Sequence, residues 1–119
     1  MKVNERILWL SRHALTEEQK ETLLIERRMV HWPSAVQVEF IHLNITLPAF
    51  SGDAVQGILD LREDKGADVV SGVLPAHVAA QWMQMEVKVP LYLPVSIPAP
   101  AVEGETRGGG FVFSHWEAF

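Results

Sequence analysis

The strongest pattern in the sequence is a wholly apolar run, Ile7 to Leu10, that ends at a polar turn formed by Ser11, Arg12 and His13. A continuous apolar run bounded by turn residues is typical of a strand buried on both faces, as in the middle of a parallel sheet. A helix is predicted directly after the turn, from about residue 17 to 30, because Thr16 and the glutamine three residues later match the capping-box pattern.

The same alternation of strand and helix patterns continues along the chain. It predicts a long strand, a helix, a short strand, a helix and two final strands, at residues 36–47, 53–62, 67–74, 76–84, 91–97 and 111–116. The apolar phase of the long strand changes at Phe40-Ile41, which indicates either a bulge or a strand that is exposed first and buried later. Pro94 predicts an edge position or a bulge, and Pro75 is expected at the first helical position.

Strands that alternate with helices predict an α/β fold: one Rossmann-like domain over residues 1–119, a three-layer sandwich with a mostly parallel sheet. A chain of this length can bury a core without disulfides or metals. Ligands of such sheets bind at the carboxyl ends of the strands. Ser11, Arg12 and His13 therefore stand where a binding site is expected.

Composition and charge exclude several classes of function. The chain has no cysteine, which excludes thiol catalysis and zinc-thiolate sites. Its net charge of −5 comes without a visible basic face, so duplex nucleic acid is not an expected partner; the pair Arg27-Arg28 is interpreted as the end of a helix. The N-terminal residues match neither a signal peptide nor a spanning helix, and a cytoplasmic protein without a membrane partner is predicted.

The turn after the first strand is the first candidate anion site. A phosphate placed there would meet the backbone N–H groups at the start of the Thr16 helix and the guanidinium of Arg12. His13 would hydrogen-bond the phosphate or exchange a proton near neutral pH. An alternative remains equally open, in which Arg12 caps neighbouring carbonyls and His13 packs on the surface.

The turn after the third strand is the second candidate. Gly72 allows a ligand or another backbone segment to come close, and the helix after Pro75 offers a second N-terminus. His77 either points into the same crevice or has a structural place on the helix face. No histidine pair shows metal-site spacing, so neither a metal nor a cofactor is predicted. The segment 107–110 lacks the lysine of a P-loop and is interpreted as a hinge or tether.

Two segments together resemble a known family. Ser11-Arg12-His13-Ala14, and the segment from Gly72 to Ala80, resemble motifs of small single-domain CRISPR-associated proteins with a CARF-like, Rossmann-type fold, which belong with the ring nucleases of type III systems. The segment from Ile97 to Glu105 is similar to the proline- and acid-containing segment that follows the last core strand there. The resemblance implies a homodimer that binds a cyclic oligoadenylate second messenger of antiviral defence across its two-fold axis. Some members cleave this messenger without a metal.

The resemblance also implies roles for individual residues. A ribose 2′-OH would attack the adjacent phosphate, with Arg12 stabilising the phosphate, His13 acting as acid or base, and Ser11 donating a hydrogen bond. The remaining predicted ligand-binding residues are Thr16, Gly72, Pro75 and His77. Two alternatives stay open: a nucleotide-sensing or sequestering module without turnover, and a structural or assembly subunit that binds no ligand.

Overall fold

The computed structural model describes residues 2–44, 54–98 and 111–119. The elements follow the predicted order: β1 (Lys2–Leu10), α1 (Glu17–His31), β2 (Ala35–Leu43), α2 (Ala54–Lys65), β3 (Val69–Gly72), α3 (Ala76–Gln84), β4 (Leu91–Pro98) and β5 (Phe111–Ala118). None of the helices in these ranges is long and apolar enough to cross a membrane. The expected helix cap at Asp53 and the glycine segment 107–110 lie outside the described residues.

The five strands form one curled sheet in the order β2-β1-β3-β4-β5. The first four strands are parallel, and β5 pairs antiparallel with β4. The prediction of an α/β fold with a mostly parallel sheet is therefore confirmed, and this order is compatible with the Rossmann-like class. The chain leaves β1 towards β2 and leaves β3 towards β4, in opposite directions, so the carboxyl ends of β1 and β3 flank a topological switch point.

Two apolar clusters pack against the sheet. Leu8 and Leu10 of β1 belong to one cluster, with side chains from α2 and α3. Ile7 and Trp9 belong to the other, with Leu23 of α1. Successive strand residues point to opposite faces, and all four of these β1 residues are at most 3% exposed. The prediction of a strand buried on both faces is confirmed.

The two clusters also explain the phase change in β2. Phe40 packs against the cluster that contains Leu23, and its neighbour Ile41 packs against the other. The pairing of β2 with β1 runs without interruption from Lys2–Ala35 to Leu10–Leu43. Of the two alternatives for this strand, the bulge is therefore wrong: with an apolar cluster on each face of the sheet, Phe40 and Ile41 are both accommodated in a regular strand.

The structure bears on two proline predictions. β4 lies inside the sheet, but its pairing with β3 covers only Leu91 and Tyr92. Pro94 therefore has a ladder partner on the β5 side alone, which confirms the predicted edge position at this residue, and the register shift that follows leaves its extra residue in β5 and not in β4. Pro75 is the N-cap of α3 and not its first helical residue. Its φ of −59° suits either position, so the proline itself did not distinguish them.

A buried ionic cluster, absent from the sequence-based expectations, joins α1 to β1. Arg27 is 4% exposed and Glu5 is 6% exposed. The Arg27 guanidinium donates to both carboxylate oxygens of Glu5, at 2.8 and 2.6 Å, and to the Tyr92 hydroxyl at 3.1 Å. His31 Nε2 lies 3.0 Å from Glu5 Oε2. Burial alone would raise the pKa of Glu5, but the hydrogen bonds from Arg27 and His31 outweigh burial and hold that pKa below its usual value.

Candidate functional site

The backbone of the turn after β1 is held from several directions. The N–H of Ser11 donates to the carbonyl of Leu43 (3.3 Å), and the N–H of His13 donates to Ser11 Oγ (3.2 Å). The indole N–H of Trp9 donates to the His13 carbonyl (2.7 Å), and His42 Nε2 donates to the Ser11 carbonyl (2.8 Å). These hydrogen bonds fix the path of the turn.

The side chains of this turn point in different directions. Ser11 is buried, whereas Arg12 and His13 are exposed. Neither exposed side chain forms a hydrogen bond or ion pair with the described residues. The alternative role of Arg12 as a cap for neighbouring carbonyls is therefore not found in this part of the chain. The fixed turn instead presents a guanidinium and an imidazole to solvent.

The turn after β3 lies directly beside the first one. The N–H of Val73 donates to the Leu10 carbonyl at 3.1 Å. A Cβ atom on Gly72 would stand only 2.7 Å from the same carbonyl oxygen. Of the two predicted reasons for a glycine here, the close approach of another backbone segment is thus the one observed. We call the two adjacent turns, residues 11–13 and 72–77, the rim.

We expect Gly72→Ala to lower the free energy of unfolding by about 1–3 kcal/mol, the usual cost of overpacking a filled site. The added methyl group meets rigid backbone of β1, so β1 and β3 have to separate at the rim. Urea unfolding of the variant and the parent chain measures the loss. Equal stability of the two chains would show that the strands separate there at no cost.

The N-termini of α1 and α3 both lie near the rim, but they differ in how well each can bind an anion. At α1, the Thr16 hydroxyl already accepts from the N–H of Gln19, and Gln19 Oε1 accepts from the N–H of Thr16, so the predicted capping box is confirmed. Glu17 and Glu18 add two carboxylates to its first turn. Their charge opposes a phosphate at this end. This geometry does not favour Thr16 as a direct ligand contact.

The N-terminus of α3 offers a contrasting environment. It has no side-chain cap and no acidic residue in its first turn. Pro75, Ala76 and His77 are all exposed there. The positive end of the α3 dipole is thus unopposed by carboxylates of its own first turn. Of the two, the α3 terminus is the one that favours an anion, and His77 lies on it.

A mainly apolar cavity of about 420 Å³ adjoins this second turn. Its walls include Gly72, Ala76 and Met83 on one side, and Pro94, Glu117 and Phe119 on the other. The volume lies in the range of small-ligand sites. Neither Arg12 nor His13 is among its lining residues. The rim therefore combines an exposed guanidinium and an exposed imidazole after β1 with an apolar cavity after β3.

His42, which is not among the predicted site residues, lies beside the rim. It pairs with Trp9 across the β1–β2 ladder, and its Nε2 lies 2.8 Å from the Ser11 carbonyl. Because a carbonyl only accepts, Nε2 carries a proton and is the donor in this hydrogen bond. The predicted strand continued five residues past His42, to residue 47, so no sequence signal placed His42 at a strand end. The register of the two strands, which brings it to Ser11, is not written in the sequence.

A second cavity, of about 510 Å³, lies towards the opposite end of β1 and is polar. Its charged groups have partners: Arg6 pairs with Glu39 at 3.3 Å, and the Arg6 backbone N–H donates to Asp68 at 2.9 Å. Across the described ranges, no group of three or more histidine, aspartate and glutamate side chains is placed to hold a metal ion. The rim is the stronger candidate, because the side chains of Arg12 and His13 have no partner among the residues that the structure describes.

No protein family, curated protein or solved structure matches this chain. The chemistry of the rim is therefore argued from its own residues. Of the predicted site residues, Ser11, Arg12, His13 and Gly72 lie at the two adjacent strand ends, Pro75 and His77 lie at the start of α3, and Thr16 caps α1.

Proposed function

We propose that the rim binds a cyclic oligoadenylate and that the chain cleaves this ligand without a metal ion. One observation carries the proposal: Arg12 and His13 are exposed and unpaired among the described residues, on a turn whose backbone is fixed by Trp9 and His42. An arginine held ready beside an ionisable imidazole suits a phosphodiester.

The reaction in this proposal is an internal transesterification. A ribose 2′-oxygen attacks the adjacent phosphorus, the bond from phosphorus to the 5′-oxygen breaks, and a 2′,3′-cyclic phosphate and a 5′-hydroxyl result. His13 takes the proton of the 2′-OH or gives one to the leaving 5′-oxygen. Arg12 stabilises the charge that develops on the phosphate oxygens. A turn that is already fixed supports this role, because little reorganisation is needed when the ligand arrives.

The proposal includes a CARF-like three-layer arrangement and a cytoplasmic homodimer in which two rims contact one ring. The net charge of −5 speaks against a partner with a long phosphate backbone. A small ring needs only one or two cationic groups from each chain. Arg12 from the β1 turn, together with the N-terminus of α3 that lacks acidic residues, provides such a set.

Incubation of the purified chain with labelled cyclic tetra- and hexa-adenylate in EDTA tests the proposal. We expect conversion to linear products that end in a 2′,3′-cyclic phosphate. Binding of an intact ring would contradict the cleavage step and favour the sensing or sequestering alternative. Neither binding nor conversion would contradict the proposal as a whole and favour the assembly subunit.

A further inference from the structure

The outer face of α1 carries apolar side chains that remain exposed. Ile25 is 52% exposed, Met29 is 70% exposed and Trp32, directly after the helix, is 80% exposed. They recur at helical spacing on the side opposite Leu23 and Arg27, the buried residues of the helix. Isolated apolar residues are common on protein surfaces, whereas several exposed apolar residues on one helix face are typical of an interaction surface.

The charges on the same face have opposite signs at its two ends. Glu17, Glu18 and Glu21 are exposed in the N-terminal half of α1, and Arg28 is exposed in the C-terminal half beside Met29. Such a face is complementary to its own copy when the copy runs in the reverse direction. A parallel copy would set each glutamate against itself, which is unfavourable.

We propose that two copies of this chain pair through antiparallel α1 helices, about a two-fold axis near Ile25. In this arrangement Ile25 meets its own copy. Arg28 lies about one residue, or about 1.5 Å along the helix axis, from the level of the partner's Glu21. Trp32 lies level with the partner's Glu18, whose carboxylate can accept from the indole N–H.

The pairing is weak and does not depend on the proposed nucleotide. A helix of 15 residues spans about 22 Å, so one helix pair buries less than the roughly 1,600 Å² of a standard interface. We therefore expect a weak dimer, with a dissociation constant in the micromolar range. Because α1 begins beside the rim, antiparallel pairing places the two rims at opposite ends and leaves both open. Failure of the cyclic oligoadenylate experiment would therefore leave this proposal intact, and a ring that two rims share would link separate pairs.

Sedimentation velocity across the micromolar range tests the proposal through charge reversal. The parent chain is expected to show a concentration-dependent dimer. Arg28→Glu or Glu21→Arg alone sets like charges together at two symmetric places, and we expect about tenfold weaker dimerisation. The double variant carries both substitutions, so each pair again has one positive and one negative charge with their positions exchanged. We expect its affinity to return to within about threefold of the parent value.

Two methionines provide a matched control. Met29→Glu removes an apolar contact and places a carboxylate level with the partner's Glu21, so we expect the dimer to weaken about tenfold or more. Met83→Glu changes a methionine of similar exposure on α3 and should leave dimerisation unchanged. A chain that stays monomeric throughout the range would overturn the proposal. So would a dimer insensitive to Met29→Glu, or a double charge reversal that fails to restore affinity.

Discussion

Replacement of Arg27 by methionine is expected to lower the free energy of unfolding by about 3–5 kcal/mol, the cost of removing one partner from a buried ion pair. The guanidinium of Arg27 contacts both carboxylate oxygens of Glu5 and the hydroxyl of Tyr92, in a region where both charged side chains are at least nine-tenths buried. Without Arg27, the Glu5 carboxylate keeps only His31 as a hydrogen-bonding partner among the described side chains. Urea unfolding at neutral pH and low protein concentration measures the loss.

The neighbouring arginine supplies the control for this prediction. Arg28 is exposed, so Arg28→Met should change the free energy of unfolding by no more than about 0.5 kcal/mol. The double variant Glu5→Leu with Arg27→Met removes both charges, and we expect it to recover most of the stability lost in Arg27→Met. A loss below about 1 kcal/mol for Arg27→Met would show that the pair is hydrated and does not hold α1 against β1.

The different environments of Arg27 and Arg28 show which part of the structure the sequence could predict. Both were interpreted as residues that end a helix, because both are basic and near its C-terminus. Helical phase was the signal that separates them: Arg27 follows the buried Leu23 by four residues, so the two share a face. The identity of its partners was not predictable, since Glu5 precedes it by 22 residues and Tyr92 follows it by 65.

The order of the elements was predictable because each depends on local patterns. The capping box at Thr16 and the break at Pro75 mark helix starts within a few residues, and both are found at the start of a helix. The beginning of β1 was not predictable in the same way. Glu5 precedes the apolar run as a charged residue and gave no strand signal, yet it is buried in β1 because Arg27 compensates its charge.

The sequence predicted where the turn after β1 lies in the rim, but not the hydrogen bonds that hold its backbone in place. The abrupt change from Leu10 to three polar residues marked the end of a buried strand, and the structure places an exposed Arg12 there. The hydrogen bonds from Trp9 and His42 that fix the turn depend on the path of the chain and on strand register. Neither is encoded at short range, so the turn's rigidity, on which its proposed chemistry depends, emerged only from the fold.

Substitution of Arg12 by alanine is expected to lower the turnover of cyclic oligoadenylate by about 10²–10³, the usual effect of removing one donor that stabilises transition-state charge. Arg12 makes no described hydrogen bond or ion pair, so its loss should leave folding intact and act on the reaction alone. Product formation is measured in EDTA under single-turnover conditions, with the protein in excess of the ring and above the dissociation constant of the complex. All of the ring is then bound, so the measured rate reports the cleavage step and not weaker binding.

The matched control removes a positive charge away from the rim. Lys88 is exposed and precedes β4, whose amino end lies far from the strand ends that carry Arg12, so Lys88→Ala should retain the parent rate. Arg12→Lys keeps the charge but loses the planar pair of donors, and we expect a rate between those of the parent and Arg12→Ala. If Arg12→Ala lowers the rate by less than about threefold, the effect is far smaller than that of losing one donor to the transition state. Arg12 would then have no part in the mechanism. The phosphate would then have to be held by His13 and the N-terminus of α3.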